Sequence, residues 1–161
     1  MLHQRVSEPT NDLRRRLAEP VRRIDLEMAT REWHHARIEV RCAGWADLAD
    51  DPRTPARLRG ALGRQLAEAA SPEARAERPC PWQPACALDV LFGNHGKVAG
   101  GLEIPKPYVV AARRDGGDLL AEVTLFGFAA DLAEVAAEAL VRGLRVGLAL
   151  VEPFQKFFRR G

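Results

Sequence analysis

The sequence contains few cysteines, few aromatic residues and no long hydrophobic run. Three cysteines among 161 residues lack the dense spacing of a disulfide framework, so we predict reduced thiols. No run approaches the roughly 18 apolar residues of a membrane span, and the first ten residues, MLHQRVSEPT, lack the apolar core of a secretion signal. These absences predict a cytoplasmic protein that binds no membrane.

Motifs that mark common enzyme classes are also missing. The chain has no P-loop, GxGxxG, HExxH or GxSxG segment, so the usual signatures of nucleotide, dinucleotide, zinc-protease and serine-hydrolase sites are absent. Carboxylates occur singly or on predicted helix faces, which leaves no visible site for hydrolysis by a carboxylate pair. We therefore expect no cofactor.

Cys80, Cys86 and His95 suggest a metal site at first sight, but their spacing argues against one. Structural zinc needs four ligands, commonly in pairs two to four residues apart, and this cysteine pair is more widely spaced. The fourth ligand would have to be Cys42 or His34. We expect no metal and interpret the cysteines as a partly buried thiol pair in a structured loop.

The charged residues are numerous but nearly balanced. Lysine and arginine total 24 against 22 acidic residues, for a net charge of +2, and most of the basic residues are arginine, which suits bidentate phosphate contact. They cluster at 14–16, 22–23, 113–114 and 159–160. A GC-rich genome would also favour arginine, so charge alone does not establish nucleic-acid binding.

The segment Leu119–Val151 has the pattern of a strand, a helix and a second strand. Residues 119–126 alternate with the period of a pleated strand. Asp131 and Glu134 predict a helix start, whose apolar face carries Leu132, Val135, Ala139 and Leu140. Gly143 suits a helix C-cap, and the alternation over Leu144–Leu150 predicts the last strand, parallel to the strand before it.

The front half has a similar order of elements. The alternation over Ala36–Cys42 predicts the first core strand, and 44–53 has the composition of a loop. Thr54 and Pro55 predict the start of a helix that reaches about Ala70, where Gly60 and Gly63 indicate close approach by another group. Residues 71–107 are irregular apart from one helical turn over 87–92. Val109–Arg113 and the turn 114–118 then complete a predicted hairpin.

The order strand, helix, strand, strand, helix, strand predicts an α+β domain. We predict a ferredoxin-like βαββαβ fold, a four-stranded antiparallel sheet with two helices on one face. This domain spans 36–152, with the irregular insertion at 71–107, a basic helical arm at 1–30 and an aromatic, basic tail at 153–161. The other face of the sheet is free for RNA or a protein, and the fold does not decide between them.

Three histidines are the candidate catalytic residues. Metal-independent RNA cleavage uses the 2′-hydroxyl as nucleophile, and a histidine can act as its base or acid. His34 and His35 precede the first strand, and His95 lies in a basic loop beside Lys97, which could stabilise a charged phosphorane. The competing interpretation is that each is an ordinary exposed histidine.

Several short motifs occur in an order that resembles a known family. They are Cys80 with Cys86, Leu91-Phe92, Pro105–Val110, Gly117-Asp118-Leu119, Leu125–Ala129 and Arg142-Gly143-Leu144. This order resembles the CRISPR-associated repeat-processing endoribonucleases of the RAMP superfamily. Arg59–Leu62 is similar to the start of that family's first helix, and Arg145 stands where the family's glycine-rich segment has a glycine.

The resemblance implies an RNA-binding domain of antiviral defence. Its expected ligand is CRISPR repeat or guide RNA, which members of this family bind and cleave without metal. No histidine of this sequence matches a catalytic position of the family, so His95, His34 and His35 are catalytic candidates by their chemistry and not by the resemblance. The residues expected to contact RNA are Arg59, Lys97, Lys106, Arg113, Arg114 and Arg145. Family members usually carry two such domains, whereas this sequence shows one.

Two other classes of function stay open at this point. The first is a non-catalytic interaction module, either a subunit of a ribonucleoprotein effector complex or a homodimer. Phe154, Phe157 and Phe158 would then dock a partner or a second copy, unless they fold back on their own domain. The second is a metabolic ferredoxin-like enzyme, which no cofactor motif supports.

Overall fold

The structure is a computed structural model that describes residues 34–97, 101, 103–147 and 154–160. Alternating burial defines its first strand. Strand β1 is His35–Cys42, and its even-numbered residues are buried while the odd-numbered ones are not. The chain divides into two compact units, one containing 94–105 with 1–32 and the other containing 33–93 with 106–161.

Three strands form an antiparallel sheet in the second unit. Strands β2 (Tyr108–Asp115) and β3 (Asp118–Phe126) form a hairpin, whose turn has Gly116 at φ +59°, a conformation that glycine adopts without strain. β3 also pairs with β1, from Cys42 opposite Leu119 to His35 opposite Phe126. The backbone of β4 (Phe154–Arg160) pairs antiparallel with the other edge of β1, so the order is β2-β3-β1-β4.

Helices occupy the connections between the strands. α1 (Ala46–Asp50) and α2 (Thr54–Glu68) follow β1, and α3 (Pro72–Arg75) and α4 (Ala87–Phe92) precede β2. A 3-10 turn, Gly127–Leu132, leads from β3 into α5 (Ala133–Gly147). The mixed α+β class and the antiparallel sheet are therefore confirmed.

The main core lies between one face of the sheet and the two long helices. β1 and β3 contribute Ile38, Val40, Val123 and Leu125, whereas α2 and α5 contribute Leu58, Leu62, Leu140 and Leu144, all fully buried. Burying an aliphatic side chain of this size stabilises a fold by about 1.5–3 kcal/mol. The opposite face of the sheet therefore stays available for polar residues.

Helices α2 and α5 approach closely at one glycine. A Cβ atom added to Gly143 would lie 2.9 Å from both the carbonyl carbon and the oxygen of Ala61, and 3.1 Å from its Cβ. Because backbone atoms cannot move away as a flexible side chain can, this close approach requires glycine. The predicted C-cap at Gly143 is wrong, since the residue lies inside α5.

The predicted last strand over Leu144–Leu150 is also wrong. Leu144 and Val146 continue α5, which ends at Gly147, and 148–150 lie outside the described residues. The strand that pairs with β1 is instead Phe154–Arg160, within the segment predicted to be a tail. The predicted N-terminal arm, 1–30, also lies outside the described residues.

Smaller differences concern the loops and glycines. Residues 44–53, predicted to be a loop, contain α1, and α3 lies within the region predicted to be irregular. Close approach is confirmed at Gly63, where an added Cβ would lie 3.0 Å from the Phe92 ring, and is wrong at Gly60, where nothing comes within 4 Å.

The helices in the described part of the chain are all too short or too polar to cross a membrane.

Candidate nucleic-acid interface

The face of the sheet opposite the helices carries a network of ion pairs. Glu122 of β3 sits between Arg37 of β1 and Arg113 of β2, with 2.5 Å from Oε2 to Arg37 Nη2 and 2.8 Å to Arg113 Nη2. Glu39 Oε1 lies 3.2 Å from Arg37 Nε and 3.4 Å from Arg113 Nη2. We call these four residues the sheet-face network.

Burial and hydrogen bonding act in opposite directions on Glu122. Partial burial raises the pKa of its carboxyl, because the charged form loses hydration, but hydrogen bonds from Arg37 and Arg113 outweigh burial and hold the pKa below its ordinary value. Glu122 is therefore ionised at neutral pH and is bound to both arginines.

The depressed pKa predicts an acid-dependent contribution to stability. A carboxyl whose pKa is lower in the folded state stabilises the protein above its unfolded pKa of about 4.3, and this contribution disappears as the pH falls through the folded value. Glu122→Gln should therefore destabilise the protein at pH 7, and urea unfolding should show a smaller difference from wild type at about pH 3. An equal difference at both pH values would contradict this account.

Two further arginines at the same end of the sheet also pair with carboxylates. Arg41 contacts Asp115, and its Nη1 lies 3.4 Å from Asp118 Oδ2. Arg114 contacts Asp50 and lies 3.5 Å from Asp47 in α1. Arg113 and Arg114, both predicted to contact RNA, are thus held by acidic residues of the same unit. Their geometry favours a role in holding strands and α1 together.

A groove beside β2 has a different charge pattern. It measures about 810 Å³ and lies among the first turns of α2, the end of α4 and the start of β2. We define the basic groove by the residues that give it chemical character, namely Arg59, Arg64, Phe92, Lys106 and Tyr108, all of which line it. Gly60 and Gly63 expose backbone on its α2 side.

Arg59 and Arg64 of α2 both line the basic groove. They are five residues apart, and each is exposed. Within the described ranges, no carboxylate pairs with either guanidinium, whereas Arg53 on the same helix start is held by Asp51 at 3.0 Å. The two arginines therefore keep hydrogen-bond donors available for an anionic ligand.

Two aromatic rings form the apolar part of the groove. The rings of Phe92 and Tyr108 lie 5.2 Å apart at an interplanar angle of 36°, and the Arg59 guanidinium carbon lies 5.9 Å from the Phe92 ring centre, within cation–π range. Burial raises the pKa of Tyr108, and the Arg59 charge offsets part of that rise.

Lys106 supplies the third positive charge of the groove. Its Nζ donates hydrogen bonds to the carbonyl oxygens of Phe92, at 3.0 Å, and of Gly93. These carbonyls end α4, where a cation is favoured by the helix dipole. Lys106 therefore fixes the position of Phe92 while adding positive charge next to Arg59 and Arg64.

The remaining predicted site residues lie outside the basic groove. His34 and His35 are exposed at the start of β1, and Arg145 is exposed near the end of α5. His95 and Lys97 belong to the other compact unit, where Lys97 pairs with Glu103 in an isolated bridge. Over the described residues, no cluster of three or more His, Cys, Asp or Glu side chains could hold a metal.

Sequence reasoning identified Arg59 and Lys106 but missed Arg64, Phe92 and Tyr108. Phe92 and Tyr108 were noticed only as parts of motifs. Arg64 lies five residues after Arg59 on α2, close to one and a half helical turns, so spacing alone would not place both in one groove. Their common location depends on where α4 and β2 pack.

The comparison with protein families adds one match. Residues 32–154 match the family model AF_1859_N, which is described as an N-terminal domain. Neither the curated proteins nor the solved structures contain a match to this chain.

Proposed function

This chain belongs to the AF_1859_N family, whose model is described as an N-terminal domain, and we propose that this domain binds RNA through the basic groove. The observation that carries the proposal is that Arg59 and Arg64, unpaired with any described carboxylate, line one groove together with Phe92, whose ring the Arg59 guanidinium faces. Single-stranded nucleic acids are bound by this combination of cations that contact phosphates and aromatic rings that stack with bases.

The groove supports this function better than the free face of the sheet does. On that face Arg37 and Arg113 already bind Glu39 and Glu122. A phosphate would have to compete with these carboxylates and would be repelled by them. In the basic groove no described carboxylate pairs with Arg59 or Arg64, so phosphate contact there breaks no ion pair among the described residues.

We further propose that the domain has the ferredoxin-like arrangement. Support comes from the strand order β2-β3-β1-β4 and from the positions of α2 between β1 and β2 and of α5 between β3 and β4. With β4 included, the sheet is four-stranded and both long helices cover one face. The basic groove then lies at the outer edge strand, β2.

CRISPR repeat or guide RNA is the ligand that we propose. The motif order from Cys80 to Leu144, which resembles the RAMP endoribonucleases, supports this choice. The same groove would also serve a chain that binds RNA as one subunit of a complex with other CRISPR effector proteins. Cleavage of the RNA by His95, His34 and His35 stays a prediction. Separating the RNA from the binding reactions by length would test it, because cleavage gives shorter products.

The proposal is tested by measuring the RNA affinity of a variant that changes the groove and of a control variant that does not. The double change Arg59→Ala, Arg64→Ala should weaken binding of a CRISPR repeat RNA by about tenfold or more, since each charged hydrogen bond contributes about 1.5–3 kcal/mol. It should also lower the slope of log affinity against log salt by about one for each phosphate that the variant no longer neutralises. Fluorescence anisotropy over a salt series measures both quantities.

Arg142→Ala is the matched control, because Arg142 is an exposed arginine of α5 that does not line the groove. It removes one exposed positive charge, as each of the two groove changes does, and should leave affinity nearly unchanged. Phe92→Leu should weaken binding of single-stranded RNA by about 1–3 kcal/mol, because leucine cannot stack with a base. Equal losses of affinity in the double variant and in the Arg142 variant would rule out the basic groove as the binding site.

A further inference from the structure

Two of the three cysteines lie together at the start of α4. Cys86 is the residue before the first turn of α4, and its backbone N–H donates to the sulfur of Cys80 at 3.4 Å. Cys86 is buried in a small apolar cluster with Ala70 and Ala74, and Cys80 packs against that cluster with partial exposure. Neither takes part in a disulfide.

The surroundings of Cys80 favour its thiolate. Ser71 caps α3 by accepting a hydrogen bond from the Ala74 N–H at 3.1 Å, which leaves its hydroxyl hydrogen to donate to Cys80. Burial raises the pKa of Cys80, but hydrogen bonds from Ser71, from the backbone of Cys86 and Trp82, and from the Cys86 thiol outweigh it and leave the pKa below its ordinary value.

Cys42 provides the contrast within the same chain. It lies on β1 in the main core, and it is 1% exposed. Burial, followed by the negative charge of Asp118, raises the pKa of Cys42 to about 12. Its thiol therefore stays protonated at neutral pH and is shielded from solutes, so the chain separates one inert cysteine from a reactive pair.

We propose that Cys80 and Cys86 are a reversible oxidation site that forms an intramolecular disulfide with a peroxide. The Cys80 thiolate attacks one peroxide oxygen, the O–O bond breaks, and the other oxygen leaves as hydroxide or alkoxide. Cys80 becomes a sulfenic acid. The Cys86 sulfur, after losing its proton, then attacks Cys80, the S–O bond breaks, and the oxygen leaves as water.

The two cysteines differ in a way that assigns these roles. Cys80 is accessible and hydrogen-bonded as an acceptor, so it meets the peroxide first. Cys86 is buried, and both its backbone N–H and its thiol hydrogen-bond to the Cys80 sulfur, so the second sulfur lies next to the first. The proposal does not depend on RNA binding.

The test treats the full chain with stoichiometric hydrogen peroxide and follows intact mass and mapped peptides. We expect the loss of two hydrogen atoms, a crosslinked 80–86 peptide, and recovery of both thiols with dithiothreitol. In Cys86→Ser, dimedone should label Cys80 as a sulfenic acid, whereas Cys80→Ser should form neither the adduct nor the disulfide. Cys42→Ala should behave as wild type.

Peptide mapping of the wild-type chain keeps the test independent of whether the variants fold. A disulfide that involves Cys42 or a second copy, or peroxide that oxidises Cys80 irreversibly without crosslinking, would overturn the proposal. So would alkylation of Cys42 by iodoacetamide at a rate equal to that of Cys80.

Discussion

Truncating Leu140 to alanine should lower the free energy of unfolding by about 2–5 kcal/mol. Leu140 is fully buried on α5, within the core cluster that joins this helix to α2 and the sheet. The change removes apolar packing and leaves a cavity that the surrounding core fills only in part. Urea unfolding followed by circular dichroism measures the effect.

Val135→Ala is the control for this experiment. Val135 lies on the same helix, and the sequence pattern placed it on the apolar face with Leu140, but it is 46% exposed. Its truncation should change the free energy of unfolding by no more than about 0.5 kcal/mol. Similar losses of stability for the two variants would show that α5 presents a different face to the core.

Gly143→Ala should destabilise the protein by about 1–3 kcal/mol, although alanine is the better helix former. Alanine in a helix interior gains about 1 kcal/mol over glycine. Here, however, the new methyl group would lie 2.9 Å from the Ala61 backbone, so α2 and α5 must separate and pack less tightly along their length. Thermal and urea unfolding should agree on the sign.

Gly60→Ala tests the same substitution where space is free. Gly60 lies on α2 one residue before Ala61, and an added Cβ would meet nothing within 4 Å. This variant should gain about 0.5–1 kcal/mol, because it keeps the helix-propensity benefit without a clash. If Gly143→Ala also proved stabilising, the close approach of the two helices would be incorrect.

Strands β1 and β3 were predictable because their burial follows the sequence alternation. Ala36–Cys42 and Leu119–Phe126 alternate between apolar and polar residues over most of their length, and β1 and β3 occupy these positions. Helix α2 was predictable because Leu58, Leu62 and Leu66 repeat every four residues, and all three are buried. In these elements local pattern and tertiary packing point to the same structure.

The last strand was misplaced because one apolar pattern suits two structures. Leu144, Val146, Leu148 and Leu150 alternate, but Leu144 also falls four residues after Leu140 on the buried side of α5. The packing of α5 decides between helix and strand at these residues. Gly143 allows the close approach to Ala61 and does not end the helix. β4 was overlooked because its basic and aromatic residues resemble a tail.

The candidate site was predictable only in part, since the positive charge of a residue does not show which residue it pairs with. Arg113 was chosen for its positive charge, but it binds Glu39, 74 residues earlier in the chain. Arg114 likewise binds Asp50, 64 residues earlier. Only the fold brings such residues together. Arg59 was found because it lies in a motif, whereas Arg64 became visible once α2, α4 and β2 were in place.

The antiparallel sheet also sets an order for assembly during synthesis. β2 and β3 are adjacent in the chain and can pair as soon as both have left the ribosome, whereas β1 obtains its second neighbour only after Phe154–Arg160 are made. Until then one edge of β1 exposes unpaired amides and carbonyls to other nascent chains. A delay between the emergence of β3 and the emergence of residues 154–160 should therefore lower the fraction of this protein that reaches its native state.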